Sequence, residues 1–411
     1  MDEALTVRIV LLADAYSPLR SSGAVLLRDL ASEMSGMGHE IHVVVPSYSI
    51  NSVYEMVSEG TLNVLRVRVP RVKDTGKFRR ALLELLLPYF LLRGMRKSSL
   101  KDVTWNAIIW YSPTIFLGPA IARLKRSSNC KTYLILRDIF PQWAVDVGLL
   151  KKGLIYQFFR KFELYQYRIA DVIGVQSASN LKYFEQQPLR RDTKIEVLQN
   201  WLAPAPVGSC SISVENSRLR GRKLVVYCGN MGVAQDMGFI MEAITLLQPR
   251  KDIGFLFVGR GSEVRALETI AEQRGLDNIQ FYDEIDPEMI PGLLDQCDVG
   301  LVALDPRHKT HNVPGKFLAY MQAGLPVVAR LNPDNDLEKL IRDEQVGLSY
   351  SGEDPQTFSK LIEQIIRDEN GRGLMASRAN SLSHNRYSVS TAAGQILGSL
   401  AICNGEAQIG D

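Results

Sequence analysis

Cysteine is scarce in this chain: Cys130, Cys210, Cys228, Cys297 and Cys403 are all there is in 411 residues. None forms a Cys-x-x-Cys pair and none has the His spacing of a zinc site, which excludes a disulfide scaffold and a zinc finger. The cysteines are expected to be reduced and the protein cytoplasmic. Long apolar runs are missing as well. The longest block, Ala81-Leu82-Leu83-Glu84-Leu85-Leu86-Leu87-Pro88-Tyr89-Phe90-Leu91-Leu92, is interrupted by Glu84 and too short for the roughly 20 residues that span a bilayer. Residues 1–8 carry charges, and no signal peptide is expected from them. Neither half contains Gly-x-Gly-x-x-Gly with an acidic residue about 20 positions on, so a two-Rossmann oxidoreductase is the least favoured enzyme class. Repeats and low-complexity tracts are absent too.

What is present is an α/β pattern in two halves. A chain of 411 residues exceeds one hydrophobic core, so two domains are expected. The net charge of +3 conceals an asymmetry. Residues 1–205 hold 28 basic and 18 acidic side chains, and the remainder holds 20 and 27. Such a split suggests an anionic partner for the first half. Within it, residues 66–101 carry 11 basic residues against Asp74 and Glu84. They bracket the leucine-rich block rather than interleaving with stacking aromatics, which disfavours nucleic acid. The competing expectations are a core helix with a solvated basic rim and a patch lying on an anionic membrane; the one-signed charge favours the membrane.

An apolar run at 7–12, broken only by Arg8, and further strand candidates at 41–45, 62–69, 107–111, 133–136, 172–175 and 195–198, with helical segments between most of them, predict a doubly wound parallel sheet. A long loop, residues 13–23, follows the first strand and ends at Gly23. Arg137-Asp138 follows the strand 133–136, either as a site or as an ion pair fixing a loop. Residues 206–222 make the best linker, after the Pro-rich stretch from Ala203.

The second half repeats the pattern with strands at 223–227, 255–258, 279–282, 299–303, 327–329 and 347–350. Gly229-Asn230-Met231-Gly232 follows the first of these, and Gly259-Arg260-Gly261-Ser262 the second. Glycines there allow backbone amides close to a phosphate, and Arg260 adds a forked cation. Val313-Pro314-Gly315-Lys316 then opens a helix that stops at Ala323-Gly324, placing Lys316 at a helix N-terminus. A plain tight turn or a solvated lysine would explain each feature alone. Three anion-type features at strand ends of one sheet favour a diphosphate site.

With these motifs the chain resembles retaining glycosyltransferases of family GT4, which have the GT-B fold of two facing Rossmann-like domains with parallel sheets. The motifs are Val226-Tyr227-Cys228-Gly229-Asn230-Met231-Gly232, Phe257-Val258-Gly259-Arg260-Gly261, and Val313-Pro314-Gly315-Lys316 through Gly324-Leu325-Pro326-Val327. The resemblance spans the chain and is more specific in the second half. It is strongest to the branch that includes N-acetyl-L-fucosamine transferases of bacterial O-antigen and capsule assembly. It implies an acceptor-binding domain at 1–205, a linker at 206–222, a nucleotide-sugar domain at 223–385, and a tail at 386–411 whose helix returns to the first domain. Gly229 to Gly232 would present amides to a nucleotide-sugar diphosphate, Gly259 would belong to the same site, and Arg260 and Lys316 would neutralise its charge. The base would stack near Phe281-Tyr282-Asp283, with Tyr282 in contact. Gly23 would face the diphosphate or sugar. Asp138 would face the transferred sugar, with Arg137 in place of the usual His.

The chain also departs from that family. His311 and Ala319 occupy the positions of its Glu-x7-Glu pair, so Glu338 or a main-chain group is expected to contact the ribose. Asn230 and Gln235 stand where an arginine and a lysine often follow the first turn. The expected activity is metal-independent transfer from a UDP-sugar to a polyprenyl-diphosphate-linked glycan at the inner face of the cell membrane, without a cofactor. Asp138, Arg260 and Lys316 are the expected catalytic residues. Asp334-Asn335-Asp336 matches Asp-x-Asp but is expected to be a turn. A UDP-N-acetylglucosamine 2-epimerase-like enzyme and a non-catalytic nucleotide-binding scaffold are the alternatives.

Overall fold

The computed structural model describes residues 6–19, 21–70, 77–146, 148–305, 313–333 and 335–402, and in the helix Lys77–Lys97 the side chains from Leu83 on. Arg71, Lys73, Asp74, His311 and Asp334 lie outside the described residues. The chain forms two compact units that divide at Asn200/Trp201 and again at Ser388/Val389.

The first unit is built on β1 (Arg8–Leu12), β2 (Glu40–Ser47), β3 (Tyr54–Glu59), β4 (Leu62–Arg68), β5 (Ala107–Ser112), β6 (Lys131–Leu136), β7 (Val172–Val175) and β8 (Lys194–Val197), in the order β3-β4-β2-β1-β5-β6-β7-β8. All neighbours are parallel except β3 and β4. Ile9 to Leu12 are buried on both faces, which is why such strands appear in sequence as unbroken apolar runs. The sequence pattern gives no strand at Tyr54–Glu59. This antiparallel edge strand carries exposed Glu55 and Ser58 and enters β4 through Gly60, at φ +62°. An edge strand needs no apolar run, so that signal is absent.

The helix Lys77–Lys97 packs in the manner of the competing expectation, a core helix, along its described side chains. Leu87, Leu91 and Met95, four residues apart, lie in the core of the first unit. Gly94 brings the helix against β4, where an added Cβ would strike the Val67 side chain. Along its described side chains the leucine-rich block is a core helix with Leu86 and Tyr89 outside. From Leu83 to Leu92 the described side chains are therefore not a free apolar patch, while Arg71, Lys73 and the side chains of Lys77, Arg79 and Arg80 lie outside the described residues.

The second unit is built on β9 (Lys223–Cys228), β10 (Ile253–Val258), β11 (Ile279–Tyr282), β12 (Val299–Ala303), β13 (Val327–Arg330) and β14 (Gly347–Tyr350), all parallel, in the order β11-β10-β9-β12-β13-β14. The expected linker 206–222 is packed into this unit instead. Ile212, Val214 and Leu219 are buried in its core. Gln296 donates to Ile212 O at 3.0 Å and accepts from Val214 N at 3.0 Å. Small and Pro-rich composition marked a flexible connection, while three spaced apolar residues within it anchor the chain. The helix Val389–Ser399 belongs to the first unit, where Gln395 donates to Val197 O at 2.9 Å and Ser399 to Glu196 at 2.8 Å. Among the described residues no helix is long and apolar enough to cross a membrane.

Candidate functional site

In the second unit the pairing sets Cys228 beside Val258, and Val258 beside Tyr282. The turns after β9, β10 and β11 therefore leave the sheet at one level, at its carboxyl edge. That edge is where open α/β sheets hold ligands.

Two of these turns interlock by backbone. Gly259 and Gly261 have φ of +149° and +155°, which side-chain-bearing residues rarely adopt. A Cβ at Gly259 would fall on Gly229 O, and one at Gly261 on Met231 O. Met231 N donates to Arg260 O at 2.8 Å, and Glu263 N to Met231 O at 3.0 Å. The amides expected to face a phosphate from Gly229 to Gly232 are mostly engaged. Gly229 N donates to Val258 O at 2.9 Å, and Gly232 N to the Gln235 side chain at 3.0 Å. Only Asn230 N has no partner among the described residues of that turn. Gln235 also accepts from Asn230 Nδ2 at 3.1 Å. Asn230 and Gln235, where charge was expected in this family, thus fix the loop. The second turn is different. Arg260, Gly261 and Ser262 have no backbone acceptor for their amides among the described residues, and they precede the helix Val264–Gln273. Unbonded amides before a helix are the chemistry of an anion site.

Lys316 lies in the first turn of the helix Gly315–Gln322. Its Nζ is 3.6 Å from the centroid of the Tyr227 ring, and its Cε lies 3.4 Å from where a Cβ on Gly229 would be. No described hydrogen bond or carboxylate accompanies this ammonium. Burial pushes its pKa from the ordinary 10.5 to about 7. The nearby Cys228 thiol is pushed up by burial to about 11 and carries no charge at neutral pH. The Tyr227 ring is held in turn by its hydroxyl, which donates to Asn230 O at 2.6 Å.

The structure brings Gly229, Asn230, Gly232, Gly259, Arg260, Tyr282 and Lys316 to this edge. The Arg260 side chain is 79% exposed and, among the described residues, pairs with Glu284, its Nε 3.3 Å from the carboxylate, a surface pair that leaves the guanidinium free to turn. Tyr282 is half-buried, its carbonyl accepting from Gly259 N at 3.1 Å and its hydroxyl from Gln280 at 2.7 Å. Ala319 is on the Lys316 helix, and His311 is outside the described residues. Glu338 is in the first turn of the helix Asp336–Glu344, and no described contact joins its side chain to Lys316 or Arg260. Asn335 caps that helix by accepting from Leu337 N at 2.8 Å, so this part of the Asp-x-Asp spelling is a helix start.

Gly23 and Asp138 belong to the first unit. Gly23 is in the first turn of the helix Ser22–Gly36, where an added Cβ would lie 2.8 Å from the Tyr111 hydroxyl. Arg137 is buried and donates to Leu198 O at 2.8 Å and Gln199 O at 3.3 Å. It ties β6 to the end of β8, which gives it a structural task. Asp138 beside it is exposed, and desolvation of its carboxyl still raises the pKa.

Asp14, just past β1, carries no sequence motif, yet its Oδ1 is buried without a hydrogen-bond partner. Burial first, then repulsion from Glu84 and Asp138, push its pKa from 3.8 to about 6. β1 is paired with β2 on one side and β5 on the other, so Asp14 stands at the switch point of the sheet. The available signal was position alone: a carboxylate opening a long loop after the first strand.

The chain is similar to several known glycosyltransferases. Residues 222–368 match the family described as glycosyl transferases group 1. WbjE of Pseudomonas aeruginosa, named as a probable glycosyltransferase, is 24% identical over 59% of this chain and 61% of its own length, which is less than two thirds. WcaI of Escherichia coli (strain K12), named for glycosyl transfer in colanic acid biosynthesis, is 26% identical over 72% of this chain and 76% of its own. Among solved structures, HepE of Anabaena in complex with UDP superposes with a TM-score of 0.66 at 15% identity, covering 96% of this chain and 100% of that one. WaaG, a glycosyltransferase involved in lipopolysaccharide biosynthesis, gives 0.61 at 15% identity over 95% and 100%. The fold is the GT-B fold, and residues 222–368 match the glycosyl transferases group 1 family model.

Proposed function

We propose that the protein is a retaining, GT4-like glycosyltransferase that moves an N-acetylated or deoxy hexose from a UDP-sugar to a polyprenyl-diphosphate-linked glycan during bacterial surface polysaccharide synthesis. The observation that carries this reading is Lys316. Its ammonium has no described counter-ion and lies against a glycine turn, next to a second turn with unbonded amides. A desolvated cation beside unbonded amides is complementary to a diphosphate and to the charge that grows on it as it departs. HepE's complex with UDP and the names of WcaI and WaaG support the donor class and the polysaccharide setting.

In this reading Lys316, Arg260 and the amides of Arg260 to Ser262 hold the leaving diphosphate. Tyr282 lines the base and Glu338 reaches the ribose. The bond from the anomeric carbon to the diphosphate breaks as the acceptor oxygen bonds on the same face. The departing phosphate oxygen takes the acceptor proton, so no protein nucleophile is required, and the cations of the chain stabilise the charge without a step through a metal. Asp138 in the first unit orients the sugar. The N-acetyl-L-fucosamine branch names the first donor to test. Incubation with a panel of UDP-sugars should give transfer from at least one in wild type and none in Lys316→Ala, with cooperative unfolding of the variant showing that it is folded. Full transfer by that variant contradicts the proposal. Product formed without any acceptor would favour epimerisation.

A further inference from the structure

The first unit exposes an apolar surface that the leucine-rich helix does not explain. Leu154 is 90% exposed, Leu149 75%, Ile155 63%, Phe158 44% and Trp143 43%. Single exposed apolar residues are ordinary, but these five fall within 16 residues of chain, around the start of the helix Leu154–Ile169. Two of them, Trp143 and Phe158, are joined through a cluster of rings. The Phe140 ring lies 6.1 Å from Trp143 and 5.0 Å from Phe159, and Phe159 lies 5.5 Å from Phe158. Leu154 and Phe158 are one helical turn apart, so both project from the same side. The Tyr156 hydroxyl donates to Gln142 at 3.3 Å, tying this helix to the short helix Gln142–Asp146 that bears Trp143. The surface is therefore held in place rather than loosely displayed.

Around the start of the helix Leu154–Ile169 the exposed charge is mostly basic, with Asp138 and Asp146 as exposed acids earlier in the chain. Lys151, Lys152 and Lys161 are exposed, and no carboxylate pairs with them among the described residues. Asp146 is the nearby acid in the sequence, and it accepts from Gln142 at 2.7 Å. Large apolar side chains in water, flanked by unpaired lysines, have the chemistry of a surface that enters the acyl boundary while its cations stay among anionic headgroups. An acidic, apolar protein partner would also match, but it would need a footprint complementary in shape to these side chains. A bilayer takes up exposed apolar side chains without shape matching.

We propose that the surface formed by Trp143, Leu149, Leu154, Ile155 and Phe158, with Lys151 and Lys152, docks the protein on an anionic lipid bilayer. This replaces the segment 66–101 as the membrane contact. It deepens the membrane part of the proposed function and rests on that reading for its purpose, while its physical basis is the exposed surface itself.

The test uses the full chain without donor or acceptor, so its result is separate from the result of any transfer assay. Wild type is floated with phosphatidylcholine vesicles and with vesicles in which a third of the lipid is phosphatidylglycerol. Binding should require the anionic lipid and weaken as salt is raised. Leu154→Glu/Ile155→Glu should lose binding while keeping the wild-type unfolding temperature, because neither side chain is packed. Lys151→Gln/Lys152→Gln should weaken binding by about 30-fold, from the usual contribution of a lysine near such a surface. Leu86→Glu/Tyr89→Glu, on the exposed side of the helix Lys77–Lys97, should bind as wild type does. Equal binding by the Leu154→Glu/Ile155→Glu variant, or loss confined to the Leu86→Glu/Tyr89→Glu variant, overturns the proposal. So does a wild-type protein that ignores vesicles but forms dimers that Leu154→Glu/Ile155→Glu dissolves.

Discussion

Replacing Lys316 by methionine retains the length of the side chain and removes its charge, which separates packing from electrostatics at the candidate site. Burial lowers this lysine from 10.5 to about 7, so its ammonium destabilises the empty fold. Three and a half pKa intervals at about 1.4 kcal/mol each set a ceiling of about 5 kcal/mol; solvent around a half-buried side chain reduces it to roughly 2–4 kcal/mol. The cost is fully present below pH 7 and disappears as pH rises from 7 toward 10.5, because the folded state sheds its proton before the unfolded state does. Wild type should therefore gain stability relative to Lys316→Met between pH 7 and pH 10. UDP should act in the opposite sense. A diphosphate restores the charged form, so near pH 7 wild type should take up about half a proton more per UDP bound than the variant does. Loss of one charge-assisted contact to phosphate should weaken UDP binding by about tenfold to 150-fold. Calorimetry in two buffers of different ionisation enthalpy reads affinity and proton uptake together. Using the variant as reference removes the titration of UDP itself. Equal UDP affinity in the two proteins, or equal proton uptake, would refute the reasoning.

Three further outcomes are expected. Asp14, raised from 3.8 to about 6, costs the fold up to about 3 kcal/mol once ionised, a cost that develops as pH rises from 4 to 6 and is absent below pH 4. Asp14→Asn should unfold at a higher temperature than wild type at pH 7 but not at pH 3.5, and an identical pH profile in both proteins would count against the buried carboxylate. Gly261→Ala should destabilise by at least about 1–3 kcal/mol from its φ of +155° alone, with more from the collision at Met231 O, and should weaken UDP binding; denaturant unfolding and calorimetry check both. Leu91→Ala, fully buried, should lose about 2–5 kcal/mol, whereas Leu86→Ala on the exposed side of the same helix should stay within about 0.5 kcal/mol; equal losses in denaturant unfolding would mean that the helix does not pack as described.

The parallel strands were legible because burial on both faces leaves a local trace: Ile9 to Leu12 and Phe255 to Val258 are apolar without interruption. Edge strand β3 left no such trace, since none of its six residues is fully buried. The glycine turns and Lys316 were legible as motifs, because a backbone with φ near +150° calls for glycine. Which amides stay unbonded was not legible. That depends on Gln235 reaching back to Gly232, a contact set by the conformation of the loop. The leucine-rich block misled because its basic flanks looked like a membrane rim, while Gly94 and Val67, far apart in sequence, decide that it packs inward. The tip at Leu154 and Ile155 has the converse history. In sequence it resembles any amphipathic helix start, and only the packing shows that nothing covers it. Asp14 is one aspartate in a loop until the order of the sheet places it at the switch point.

The central claim is that the carboxyl edge of the second sheet is a diphosphate cradle built by Lys316 and the turn from Arg260 to Ser262. A crystal structure with UDP tests it most directly. The account predicts a diphosphate oxygen about 3 Å from Lys316 Nζ and others at the amides of Gly261 and Ser262, with the base beside Tyr282. Nucleotide density elsewhere on the protein, with Lys316 still lying over Tyr227 and touching no phosphate, would contradict it.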